Sequence, residues 1–385
     1  MIKQEINELK RLYTPSNCSI TRICGCYVDG EKNKKTEFKE AFLSLPEEEI
    51  FKYFELLRKT LSGSLGKNLL NLDFPLASEQ EGGTQAALLA LRDSKLRDDA
   101  LIEEFYDRVI NTYEYVGNYL ILLIHDAYDV PGKTTDGLTM DDASDTVFEY
   151  IMCCICPVNL SKPGLSYDNI NNEFHNRIRD WVVEMPETGF LFPSFNDRAT
   201  DIHSTLFYSK NPEEAHSEFV ENILGCTMPL SAGTQKEAFQ ALIEETLGDE
   251  VEYEVVKNIH ENLTEMIEEH KEIPEPLTLD KHQVKSLFEK SGVKEEKLTD
   301  FDKLYDAAAG EDTSLFVNNV ANVRTFEVKT PDVVVKVNPE RADLVNTLQI
   351  DGKRCLVIEI NDHVEVNGIT IHQSVSLEDV VDEEE

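Results

Sequence analysis

The chain has 385 residues, 41% of them apolar, with 18 phenylalanines and 13 tyrosines; this excludes general disorder and calls for two or three packed units. Its 37 basic side chains face 74 acidic ones, a formal charge of −37, which disfavours nonspecific attraction to nucleic-acid phosphates or anionic lipid. Residues 1–70 are the exception, with 12 Lys/Arg against 10 Asp/Glu, so they are the one region open to an anionic ligand on charge grounds.

In chain order, Ile2, Ile6, Leu9 and Leu12 or Tyr13 form one stripe and predict a helix over 2–13, ended by Thr14-Pro15. "SITRICGCYVDGEKN" (19–33) reads as a strand entering a polar turn, and a helix is predicted from Thr36 with Phe38, Phe42 and Leu43 on its apolar face. Ser44 as cap and Pro46 near a first turn predict a further helix through "EEEIFKYFELLRKT". "ASEQEGGTQ" (77–85) reads as an exposed loop, followed by helices up to residue 117. "NYLILLIHDAYDV" is the best strand candidate, and its aliphatic core "YLILLI" is far too short to span a bilayer. The polar, acid-rich "PGKTTDGLTMDDASD" (131–145) predicts a loop or boundary.

"VFEYIMCCICPVNL", "IRDWVVEM" and "GFLFPSF" predict strands. Helices follow: one with Asn211 as N-cap, Pro212 at the first position and Glu214 as capping-box acid, then "TQKEAFQALIEETLGD", then "VEYEVVKNIHENLTEMIEEHKE" with Val251, Val255, Ile259 and Leu263 on one stripe. "IPEPLTLD" (273–280) reads as a linker and "DKHQVKSLFEKSGV" and "FDKLYDAAAG" as short helices. The remaining segments are strands, with Asp351-Gly352 and Asn367-Gly368 placed for tight hairpin turns. The expected fold class is α+β: an antiparallel or mixed central sheet with packed helices, plus a small carboxy-terminal β-hairpin subdomain. The expected regions are 1–135 (α/β), 136–272 (central sheet and acidic helices), 281–375 (β-rich) and an acidic tail at 376–385.

The chemistry-bearing groups are few. Cys24 with Cys26, and Cys154 with Cys156, face the same way along a strand, but neither pair has zinc-site spacing, and buried cysteine acts as a small hydrophobe. Gly132-Lys133-Thr134 lacks the first glycine of a phosphate loop. Asp126, Asp129, Asp136, Asp141, Asp142 and Asp145 could collect a hard divalent cation, yet fit no calcium-loop spacing. The strongest candidate ligand-binding group is the loop Asn196, Asp197, Arg198, Asp201 and His203, where an arginine, a histidine and acids stand on a turn between apolar strands. The plainer reading of the same residues is a hairpin tip whose Asn and Asp bond their own backbone.

"NCSITRICGCYVDGEKNKKTEFKEAFLSLPEEEIFKYFELLRKTLSGSLGKNLLNLDFPL", "CPVNLSKPGLSY", "RDWVVEMPETGFLFPSFNDRATDIH" and "LVIEINDHVEVNGI" resemble an uncharacterised family of intracellular proteins from anaerobic Gram-positive bacteria. That family carries a domain-of-unknown-function label, so the resemblance implies no activity, cofactor or catalytic residue. "SEFVENILGC", "TQKEAFQALIEETL" and "DVVVKVNPERADLV" with "LQIDGKRCLVIEI" are more faintly similar to the layout of bacterial nucleoid-associated proteins.

The charged opening and eight cysteines lead to the expectation of a soluble cytoplasmic protein with reduced thiols, no membrane span, no cofactor and no metal. The expected function is non-catalytic binding of a protein or small-molecule partner. The alternatives are a nucleoid-associated role and a metal-dependent hydrolase using Asp126, Asp129 or the loop acids.

Overall fold

The computed structural model describes residues 1–133, 139–214, 216–248, 251–322, 324–360 and 364–371, the side chains of 133 and 139–145 excepted. It divides into two compact units. Unit 1 is residues 1–240, 271–278 and 314–320; unit 2 is 241–270, 279–313 and 321–385.

Unit 1 opens with α1 (Lys3–Lys10), β1 (Ile20–Val28) and β2 (Lys34–Glu40), then a 3-10 turn (Phe42–Ser44), α2 (Glu47–Thr60), β3 (Leu69–Asp73), α3 (Thr84–Asp93) and α4 (Asp99–Thr112). The helix predicted from Thr36 is instead the strand β2. Phe38 lies opposite Gly25 in the β1–β2 register, and its ring occupies the space a Cβ would need, 2.1 Å away. A glycine inside a strand marks such a close approach, and the helical reading of residues 36–43 ignored it.

Next come β4 (Asn118–Lys133), β5 (Thr139–Leu160), β6 (Leu165–Asp168), β7 (Glu173–Asn176), β8 (Trp181–Val183), β9 (Thr188–Phe192), β10 (Ser194–Asn196), β11 (Ala199–Asp201) and β12 (Ser204–Ser209). The polar stretch 131–145, predicted as a loop, largely continues the β4–β5 ladder: Pro131, Gly132 and Lys133 pair with Ser144, Met140 and Thr139 across register shifts. Thr134 and Asp136 lie outside the described residues, as do the side chains of Lys133, Asp141, Asp142 and Asp145.

The central sheet has eight antiparallel strands, ordered β2-β1-β4-β5-β9-β12-β3, with β8 also on β5. Helices cover both faces. Tyr119, Ile121 and Leu123 of β4 join Cys24, Cys26 and Cys153 beneath α3 and α4. Leu120, Leu122 and Ile124 join Cys154 and Cys156 beneath α1 and α2. A strand buried on both sides needs an unbroken apolar run, which accounts for "YLILLI". Among the described residues no helix is long and apolar enough to cross a membrane.

The helix expected from Asn211 begins later, as α5 (Ser217–Phe219), continued by a π-helical turn (Val220–Leu224). Asn211 instead receives the Glu213 amide in a local turn, and Glu213 turns to Ser231 and the Gly233 amide at the start of α6 (Ala232–Leu247).

In unit 2, α7 (Tyr253–Glu269) buries Ile259 and Leu263 of the predicted stripe, while Val251 lies before the helix and is exposed. After β13 (Thr278–Leu279) come α8 (Lys281–Lys290), α9 (Phe301–Ala309), β14 (Leu315–Phe316) and α10 (Val317–Val320). In unit 2, Val284, Leu287 and Phe288 of α8 and Phe301 and Tyr305 of α9 are buried. Three hairpins follow: β15–β16 (Phe326–Lys329, Val334–Val337), β17–β18 (Val345–Ile350, Lys353–Ile358) and β19–β20 (Val364–Val366, Ile369–Ile371). Asp351-Gly352 and Asn367-Gly368 form the last two turns with positive φ at both residues, as the two-residue hairpin connection requires. The tail 376–385 lies outside the described residues.

Candidate functional site

The predicted loop is the β10–β11 hairpin. Its two-residue turn is Asp197-Arg198, with φ of 52° and 56°, a left-handed conformation adopted here without glycine. Such a residue persists where its surroundings hold it, and α1 supplies the hold. The Arg198 amide donates to Glu5 Oε1 at 3.3 Å, and its guanidinium grips both oxygens of Glu8, at 2.9 Å and 3.1 Å. A further guanidinium bond reaches the Pro131 carbonyl at 3.2 Å. Glu8 also accepts the Tyr128 hydroxyl at 2.8 Å, which with burial raises that phenol. A cavity of about 300 Å³ adjoins Arg198, lined by Val130, Val147, Phe148 and Ala199 among others.

The other candidates go to different partners. Asp201 accepts from Asn196, from the Ser204 hydroxyl and from the His203 amide, at 2.6, 2.8 and 3.0 Å. Partial burial pushes its carboxyl up, but those bonds outweigh it and hold Asp201 below its ordinary range. His203 is exposed and its Nδ1 lies 2.6 Å from Glu79, whose hydrogen bond raises the imidazole above its ordinary value. Asp197 sits exposed at the tip. The five residues therefore share a hairpin without converging on one reacting atom, and their polar groups are spent holding it together and to α1.

Beneath α1 runs a second set of polar groups. Tyr150 donates to Asp126 Oδ2 at 2.7 Å, Tyr13 donates to the Tyr150 oxygen at 3.0 Å, and the Ala127 amide donates to Asp126 Oδ1 at 2.8 Å. All three side chains are fully buried, and burial raises the Asp126 carboxyl above its ordinary range. Asp129 is exposed, and three positions along a strand place it on the face opposite Asp126. These two acids cannot share a metal. On that opposite face, buried His125 meets Thr21 Oγ1 at 2.8 Å and lies 3.9 Å from Glu149, which Lys95 pairs at 2.8 Å.

Cys24 and Cys26 share one face of β1, and Cys154 and Cys156 share one face of β5, each pair inside a core. Burial pushes Cys26 and Cys154 up to about 12, which keeps them as protonated thiols. Among the described residues, no three His, Cys, Asp or Glu side chains come together as a metal site would need.

The feature missed at the level of sequence is a ribbon. From Val158/Val183 at its base to Asp168/Glu173 near its tip, the chain forms an antiparallel arm through β8, the Ser161–Asp180 and Gly164–Arg177 bonds, β6 and β7. At its tip Asp168 caps the turn by accepting the amides of Ile170 and Asn171. Its large apolar side chains are open: Ile170 is 89% exposed, Phe174 71% and Trp181 56%. The sequence carried one sign of this, since 161–180 has no run of neighbouring apolar residues with which to build a core.

The model of a family described as a domain of unknown function, DUF4317, matches residues 1–369. The chain belongs to that family. No curated protein matches it. The match takes in both units of the DUF4317 chain, with the arm and the Arg198 hairpin inside it.

Proposed function

We propose that this DUF4317 protein is a non-catalytic binding protein whose contact element is the arm, residues 159–185. One observation carries the reading: ten large apolar side chains stand exposed between Leu160 and Met185, in a ribbon whose residues have almost no cover. Their summed open surface is on the order of 1,000 Å², divided between the two faces of the ribbon, so each face reaches the upper end of the several hundred Å² usual for the largest, often functional, apolar patch of a monomer. The groups that could do chemistry support the same reading. Arg198, Asp201 and Asp126 each have structural partners, and the Thr21 hydroxyl that stands 2.8 Å from His125 Nδ1 meets an imidazole that is fully buried.

The test is affinity capture from lysate with the natural chain and with a Phe174→Asp, Trp181→Asp double variant. Species retained by the first and lost by the second, with unchanged circular dichroism and melting, are expected. Identical retention by both would assign binding to another surface.

A further inference from the structure

We propose that two copies of this chain associate through the arm, ribbon against ribbon about a two-fold axis. This rests on the reading of the arm as the contact surface and names its occupant. A two-stranded ribbon is marginal in water on its own. Here the cross-strand pairs Leu160/Trp181 and Tyr167/Phe174, the latter with ring centroids 5.2 Å apart, face solvent with no third layer over them.

Charge selects the partner. Residues 160–185 hold three basic and four acidic side chains, whereas the rest of the chain holds 34 basic and 70 acidic. A basic partner would be drawn to the acidic remainder. A second copy is repelled there and meets least repulsion at the arm. The arm also carries both signs close together, Arg177 and Arg179 beside Asp180 and Glu184, so two antiparallel ribbons can set opposite charges face to face. A two-fold contact needs a surface complementary to itself, and this one has both the apolar area and the mixed charge.

The edges agree. At one border of the central sheet β2 carries Lys34, Lys35 and Lys39, the usual guard against unwanted strand pairing. β8 is Trp-Val-Val, uncharged, and among the described residues it pairs with β5 alone. Successive residues of a strand face opposite ways, so one partner ribbon covers about half of the open apolar area, roughly 500 Å² per copy, the size of a weak, concentration-dependent contact.

The experiment is sedimentation velocity and light scattering on the purified natural chain over about a hundredfold range of concentration. Trp181, the one tryptophan, serves as an internal probe. The expected result is a species of twice the chain mass, with Trp181 emission shifting to the blue as it forms. Added sodium chloride should tighten the dimer by screening the acidic remainder. Phe174→Asp and Trp181→Asp should each weaken association about tenfold or more, leaving monomer circular dichroism unchanged. A natural chain that stays monomeric throughout, or a dimer that survives both substitutions, overturns the proposal. If the chain is monomeric but the arm still captures another protein from lysate, only the second copy is lost as partner; if neither occurs, the arm is not a contact surface.

Discussion

Two hairpins of unit 1 use their side chains in opposite ways. The β10–β11 hairpin holds the arginine, histidine and acids that look like a site, yet each is turned on a neighbour: Arg198 on Glu8, Asp201 on Asn196 and Ser204, His203 on Glu79. The β6–β7 arm shows nothing site-like in its sequence, yet its aromatic and aliphatic groups have no cover. A polar side chain is consumed by the contacts it makes. An apolar side chain left open is a contact still to be made. The lesson is that a cluster of charged groups can be wholly taken up by the fold, whereas the open apolar surface is what the proposal of binding rests on.

The comparison can be broken at the buried end first. Tyr150→Phe removes the hydroxyl that donates to buried Asp126, and a loss of about 3 kcal/mol is expected from urea denaturation. A loss under about 1 kcal/mol would mean that the polar set beneath α1 does not anchor that face.

Acid gives the next effect. Burial lowers His125 to about 4, so the stability it contributes is present above the unfolded value of 6.5 and lost as pH falls through about 4. The loss should reach no more than about 3 kcal/mol, and His125→Asn should flatten the melting-temperature profile between those two values. Asp126 has the opposite sign, because its folded pKa is raised. Its contribution is present below the ordinary carboxylate value and lost as pH rises through the folded one, so Asp126→Asn should stabilise relatively more at neutral pH than in acid.

Glu8→Ala leaves Arg198 without its carboxylate and Tyr128 without its acceptor. Both side chains of the ion pair keep some solvent, so about 2 kcal/mol is expected by thermal melting, with faster amide exchange confined to α1 and residues 194–201. The smallest effects sharpen the contrast. His203→Ala, at a side chain 68% exposed, and Phe174→Ala on the arm should each shift monomer stability by less than about 0.5 kcal/mol. Only the second should alter association.

Much of the fold was legible in the residues. The "YLILLI" run, the α7 stripe and the Asp351-Gly352 and Asn367-Gly368 turns act through neighbours in sequence, and each became the element its pattern implied. The errors came from distant partners. Phe38 was read as part of a helical face, but its place is set by Gly25 across the β1–β2 ladder. The 131–145 segment has loop composition, but its strands are held by each other's backbone. The polar residues from Asn196 to His203 read either as a ligand-binding loop or as a plain hairpin tip, and the turn between apolar strands common to both readings is present. Its anchors Glu5 and Glu8, more than 180 residues away, left no local mark. The arm was hidden for a related reason: strand propensity reports how a backbone pairs, not whether anything lies over it.

The clasp between Arg198 and Glu8 spans 190 residues of chain, and that separation has a consequence for biosynthesis. As the polypeptide leaves the ribosome, the first helix is made early but its anchor arrives only after the hairpin emerges. At ordinary elongation rates this delay is on the order of ten to forty seconds. Throughout it, Ile6 and Leu9, whose burial depends on the later strands, lack their final cover. Until the layer beneath that helix closes, the nascent chain therefore needs chaperones to shield Ile6 and Leu9.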